Sequence, residues 1–265
     1  MTINNEHNKQ LVWVVSGASR GLGLEYVVQL LQRGHRVVAT ARNPQKAQGL
    51  TSLAAKYGDA LTLVPLDVLD PATIKAAAAS ISKAYPEGVD VLINNAGVSG
   101  TIARSSEQDE DEFRTILRTN TLGAFLVLKA MLPLIKKGTK KQIVNISSTL
   151  GSIGEEAKFL KENPEENNTR VMASNAVGYR ASKAALNAIT VAMAVDLKKD
   201  GITVISMCPG WVATDMGSTA TGTLGIEAPP LEAPESISCQ LKVIDGLTLE
   251  KSGTFFNHEG AVVPY

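Results

Sequence analysis

The stretch SGASRGLG, Ser16 to Gly23, decides how this chain folds. It follows Leu11 to Val15, a short apolar run, and precedes Leu24 to Leu31, whose apolar residues recur at helical spacing before Gly34, where a helix would end. Strand, tight turn, helix is the reading. Small residues let the backbone bend sharply, so that N–H groups and the positive end of the helix dipole can face an anion.

The same alternation recurs down the chain. Val37 to Thr40 is followed by a helix after Pro44, Leu61 to Leu66 by a helix opened at Asp70-Pro71, and Val89 to Ile93 by a long helix over Phe113 to Lys136. Ile143 to Ile146 and Ile202 to Met207 are two further strands, flanking a helix over Ala181 to Lys198. Near-continuous apolar strands imply a sheet covered on both faces, since a strand with one wet side would alternate apolar and polar residues. The expected fold is α/β, a doubly wound Rossmann-type parallel sheet with helices on both faces, forming a single domain over residues 1–265. Two stretches break the rhythm: a charged insertion near 155–168 and a Gly-, Thr- and Pro-rich loop within 211–234, where Trp211 and Met216 are candidate apolar wall residues.

Composition narrows the function. The 265 residues carry 26 basic and 26 acidic side chains, so no surplus charge draws the chain to nucleic acid or an anionic membrane. Uninterrupted apolar stretches fall short of the roughly 20 residues that span a bilayer, and a cytoplasmic location is expected. Cys208 and Cys239 are too few for a disulfide framework, and His7, His35 and His258 are scattered, so free thiols and no metal are expected.

Turns of this kind bind dinucleotides, and those selecting NAD place a carboxylate at the end of the second strand. Here no Asp or Glu occurs between Glu25 and Asp59; Arg42 stands near that strand end and Arg20 lies inside the glycine turn. Two guanidinium groups suit a 2′-phosphate. The expected cofactor is NADP(H), seated on Gly17, Ser19, Arg20, Gly21, Leu22, Gly23 and Arg42.

Further pieces stand in order: Asp67-Val68, NNAG at 94 to 97, Asn120, NISS at 145 to 148, Tyr179 and Lys183 four apart, and PGWVATDM at 209 to 216. Together with the glycine turn they resemble the short-chain dehydrogenase/reductase family over nearly the whole chain, and its sniffer and C-factor carbonyl-reductase-like branch in particular. The resemblance implies hydride transfer between NADPH and a small aldehyde or ketone, or the reverse on an alcohol. It implies Ser148, at the tip of a strand, as the hydroxyl that holds the reacting oxygen, and Asn120 as a support for Lys183. It also implies cofactor contacts at Asp67, Val68, Asn94, Ala96, Gly97, Tyr179, Lys183, Pro209, Gly210, Val212 and Thr214. Ser147 is left to bond locally. A catalytically silent nucleotide sensor of the same fold is the competing reading.

The Tyr179–Lys183 pair can be argued on its own. Residues four apart share a helix face. Bringing a phenol about three units down from 10 requires roughly 4 kcal/mol, about what one positive charge about 4 Å away supplies at an effective dielectric near 20. Ser148 and Tyr179 are thirty-one positions apart, where the family has about a dozen, and the surplus is the charged insertion. Relatives with such an insertion can lose the usual helix–helix contact between subunits, which leaves a homodimer open.

Overall fold

The computed structural model describes residues 10–162, 176–219, 221 and 228–265. Seven strands form one sheet: β1 (Val12–Ser16), β2 (Arg36–Ala41), β3 (Leu61–Pro65), β4 (Val91–Asn94), β5 (Gln142–Ile146), β6 (Thr203–Cys208) and β7 (Phe255–Asn257). Every pairing is parallel, in the order β3-β2-β1-β4-β5-β6-β7. The helices are α1 (Gly21–Gln32), α2 (Gln48–Tyr57), α3 (Pro71–Ala84), α4 (Glu110–Leu117), α5 (Ala124–Ile135), α6 (Ile153–Glu162), α7 (Val177–Leu197), α8 (Asp215–Ser218) and α9 (Ala233–Asp245).

Strand periodicity sorts the core. Trp13 and Val15 of β1, Val37 and Ala39 of β2, Val91 and Ile93 of β4, and Ile205 and Met207 of β6 point to one face, under Tyr26, Leu30, Leu50, Ile237, Leu241 and Ile244 from α1, α2 and α9. The residues between them, Val14, Val38, Leu92 and Val204, face the other way, under Ile74, Ile81, Leu128, Met131 and Leu197 from α3, α5 and α7. The sheet is therefore buried on both sides, which is why its strands lack alternation.

The long helix expected over Phe113 to Lys136 runs from Glu110 to Ile135, but it changes pitch at a π-turn, Arg118–Gly123. By length and hydropathy it could cross a membrane, yet Val127, Leu128, Met131 and Ile135 pack into the core. The expected strand boundaries lie within two residues of those observed. Helix α9 and strand β7 were not anticipated from the sequence: Ile237, Leu241 and Ile244 carry a helical pattern just past a Pro-rich stretch, while β7 is too short to signal. The insertion holds α6, and its remainder, 163–168, lies outside the described residues, as do 220 and 222–227 of the expected loop.

The amino ends of the central strands are tied together by Asp90. Its carboxylate accepts hydrogen bonds from Val12 N (2.8 Å), Thr139 N (2.8 Å), Thr139 Oγ1 (2.8 Å) and Lys140 N (3.2 Å). At the opposite, carboxyl end the connections from β1 and β4 leave for opposite faces, and ligand crevices open at such a switch point.

Candidate active site

A crevice of about 610 Å³ runs across the carboxyl ends of the strands. Of the residues singled out from sequence, Gly17, Ser19, Arg20, Gly21, Leu22, Gly23, Arg42, Asp67 and Val68 border one end of it. Ala96, Gly97, Tyr179, Lys183, Pro209 and Thr214 also border it, so motifs far apart in the chain meet around one space.

The glycine turn is shaped by close approach. Gly17 has φ +65°, and a Cβ there would lie 2.7 Å from Ala96 Cα. Gly23 leaves no room for a Cβ against the Gly17 carbonyl. Asn95, which sequence reading passed over, pins this turn: its Nδ2 donates to Ser16 O (3.0 Å) and Gly17 O (3.2 Å), while Ser16 Oγ accepts from Asn95 N (3.0 Å) and Ala96 N (3.1 Å). The asparagine after a strand end was the available signal. Helix α1 starts at Arg20 with no side-chain cap and no acidic residue in its first turn, so its N–H groups are free of side-chain carboxylates. Arg20 reaches across the crevice mouth to Asp215 (2.9 Å), both side chains being mostly exposed, and a pair so wet holds the guanidinium weakly.

Three expected contacts lie off the crevice. Asn94 is buried and donates to Asn145 Oδ1 (2.9 Å) and Ala124 O (3.2 Å), bracing β4 against β5. Val212 is buried and pairs with Leu231. Gly210, at φ +83°, turns the chain against Leu231 and His258. Trp211 donates its indole N–H to Gly217 O (2.9 Å), whereas Met216 does border the crevice.

The polar cluster forms where β5 ends beside the first turns of α7. Gly151 allows this approach, since a Cβ there would meet the Lys183 backbone at 2.7 Å. Lys183 is 4% exposed and donates to Ile146 O (2.7 Å), and its Nζ lies 5.6 Å from the Tyr179 ring centre. Ser148 caps the turn after β5, accepting from Leu150 N (3.2 Å), and its hydroxyl lies near enough to the Tyr179 phenol to lower its pKa. Ser147, expected to bond locally, borders the crevice instead, and its hydroxyl donates across to Asn187 Oδ1 of α7 (2.7 Å).

Two expectations are corrected here. The phenol is raised above its ordinary value rather than lowered by the lysine. Burial raises Tyr179 to about 12, helped by the negative charge that Cys208 can carry and opposed by the nearby Ser148 hydroxyl, and burial pulls Lys183 down to about 8. The simple charge argument left out desolvation, which penalises both charged forms. Nor does Asn120 bond Lys183. Its amide bridges Val98 N (2.8 Å), Val98 O (2.8 Å) and Ser182 Oγ (2.9 Å), and Ser182 in turn donates to Tyr179 O (2.7 Å), so Asn120 supports the helix turn from below.

Known proteins resemble this chain in sequence and fold. Residues 11–159 and 167–224 match the short chain dehydrogenase family. The C-signal protein of Myxococcus xanthus is 37% identical over 177 residues, covering 67% of this chain and 93% of its own. Two solved structures superpose over 97% of this chain and 100% of their own: an NADPH-bound carbonyl reductase from chicken fatty liver (TM-score 0.82, 36% identity) and the carbonyl reductase Sniffer of Drosophila melanogaster (TM-score 0.83, 30% identity). On sequence, topology and the ordered motifs around one crevice, this chain belongs to the short-chain dehydrogenase/reductase family of oxidoreductases, in its sniffer and C-factor-like branch.

Proposed function

We propose that the protein is an NADPH-dependent reductase of aldehydes or ketones, with alcohol oxidation by NADP as the reverse direction. The observation that carries this reading is that Tyr179 and Lys183 border the same crevice as the glycine turn, with Ser148 beside the phenol although outside the crevice lining. The turn fits the cofactor: Gly17 and Gly23 allow its tight packing, the amino end of α1 is uncapped, and Arg20 and Arg42 on the crevice lining offer the positive charge that suits a 2′-phosphate. NADPH bound in the chicken carbonyl reductase supports the same assignment.

When bound, the reduced nicotinamide supplies the hydride for a carbonyl carbon. The chain's own residues handle the oxygen. A phenol pushed up to about 12 is protonated at neutral pH, the state in which Tyr179 can donate a proton to that oxygen. Ser148 Oγ, beside the same phenol, donates to the oxygen as its charge grows, which favours the transition state over the ground state. Lys183, still mostly cationic at neutral pH with a value of about 8, offsets the negative charge left on Tyr179 once the proton has gone.

The test is NADPH oxidation followed by absorbance against a panel of aldehydes and ketones, in wild type and Tyr179→Phe. Loss of the general acid should lower turnover by about 10²- to 10⁴-fold while nucleotide binding persists. Full activity in Tyr179→Phe would remove the proposed acid. Nucleotide binding without turnover of any carbonyl by the wild type would point to a sensor instead.

A further inference from the structure

We infer that the ion pair between Glu156 of α6 and Arg180 of α7 is a clamp that positions Tyr179, a proposal that rests on the reading of Tyr179 as the acid. Tyr179 lies in the first turn of α7, which begins at Val177. First turns are where helices fray, because their N–H groups lack partners within the helix. This one has little of its own to prevent it: Ala176 makes no side-chain cap, and no acidic residue stands in the turn. The negative charge that such a turn calls for comes instead from the insertion. Glu156 Oε2 meets Arg180 Nη2 at 2.9 Å, with the two side chains only 19% and 14% exposed.

That burial separates the pair from the surface ion pairs of this protein. Among the described residues, Glu156 is the carboxylate that meets Arg180, and Arg180 Nη1 is buried with no partner at all. Without Glu156 the guanidinium would lose the only carboxylate that meets it among the described residues, and it would move toward water and carry the turn with it. Arg180 is the residue next to Tyr179, so the phenol moves when that turn does. The other half of the clamp is itself anchored. Gly154 N donates to Tyr265 O (3.0 Å), Ser152 Oγ donates to Pro264 O (2.6 Å), and Glu155 N donates to Ser152 Oγ (3.1 Å), which fixes the start of α6 one turn from Glu156. Glu156 and Arg180 are thus positioning residues: neither borders the crevice, and both act through the phenol.

Three variants test this: Glu156→Gln, Arg180→Gln, and the swap Glu156→Arg with Arg180→Glu. Turnover is expressed per nucleotide-binding site, titrated by NADPH fluorescence, so that misfolded protein does not count. Each single variant should lose about 10- to 100-fold in kcat, the scale on which small misplacements act, with the Kd for NADPH unchanged. The swap should recover most of the loss. Independently of activity, amide exchange over Val177–Ser182 in the ligand-free chain should quicken in both single variants and return toward wild type in the swap. Single variants with wild-type kcat per site, unchanged exchange in that turn, or a swap no better than the singles would each overturn the clamp. Should Tyr179→Phe prove fully active, the parent reading falls, and the exchange data alone then decide whether the clamp exists.

Discussion

Lys183 is a cation only 4% exposed, and burial pulls it from 10.5 to about 8. Between those values the folded chain binds fewer protons at this site than the unfolded chain does, so stability from this group is full above 10.5 and is lost as pH falls through 8. A shift of this size corresponds to about 3 kcal/mol at most. Lys183→Met should therefore be more stable than wild type at pH 7, the advantage shrinking toward pH 10, while turnover collapses. Urea unfolding at the two pH values reads this out, and a difference between the proteins that does not change with pH would contradict it. Arg42 carries a separate expectation. If it meets the 2′-phosphate, Arg42→Leu should weaken NADPH about tenfold and leave NADH unaffected in fluorescence titrations, since a charge-assisted hydrogen bond is worth about 1.5–3 kcal/mol. Equal weakening of both nucleotides would show that Arg42 does not read the phosphate. The identity of these side chains was legible because their chemistry needs a lysine four residues from a tyrosine and no carboxylate after β2. Their protonation was not, because it depends on burial by residues distant in sequence, such as Ile146 and Cys208.

Turns and helices carry information of a different kind. Gly17 and Gly34 both have positive φ, +65° and +81°, but a Cβ at Gly17 would meet Ala96 Cα at 2.7 Å whereas at Gly34 it would meet nothing within 4 Å. The comparison separates strain from crowding. Gly34→Ala should cost about 1–2 kcal/mol, the price of a left-handed alanine. Gly17→Ala should cost more and should also weaken nucleotide binding, because the backbone that would have to retreat is the crevice floor. Equal loss of stability in the two variants, by urea midpoint, would mean that the Ala96 contact relaxes freely. At this scale the strands and most helices were readable from apolar runs and spacing. The π-turn at Arg118–Gly123 was not. At its centre Asn120 bonds Val98 and Ser182, which are remote in sequence, so the local pattern of Phe113 to Lys136 remains that of an ordinary helix. The thirty residues between Ser148 and Tyr179 also hid how the two meet, because β5 and α7 are brought together by a glycine, Gly151, whose function is to be small.

Across the whole molecule the two ends of the sheet are built for different ends. The carboxyl ends hold an uncapped helix and a buried lysine, both of which cost stability and are kept for chemistry, beside a phenol that burial keeps protonated. The amino ends hold Asp90, 7% exposed, whose burial would raise its carboxyl but whose hydrogen bonds from Val12, Thr139 and Lys140 together outweigh that and hold it below the ordinary range. A carboxyl held down in this way contributes stability above the usual aspartate pKa and loses it as pH falls through its lowered folded value. Asp90→Ala leaves three backbone N–H groups and a hydroxyl without their acceptor. At about 1–3 kcal/mol for each of the four donors left unsatisfied, the total should reach roughly 4 kcal/mol or more. The crevice lies at the far end of the strands, so the folded fraction of this variant should bind NADPH with wild-type affinity and turn over at the wild-type rate. Its acid unfolding limb should also be shallower than that of the wild type, since the group that titrates is gone. Unfolding curves at pH 4 and pH 7 together with nucleotide titration test both halves. Loss of nucleotide affinity in proportion to the loss of stability would show instead that the two ends of the sheet are coupled through β1 and β4.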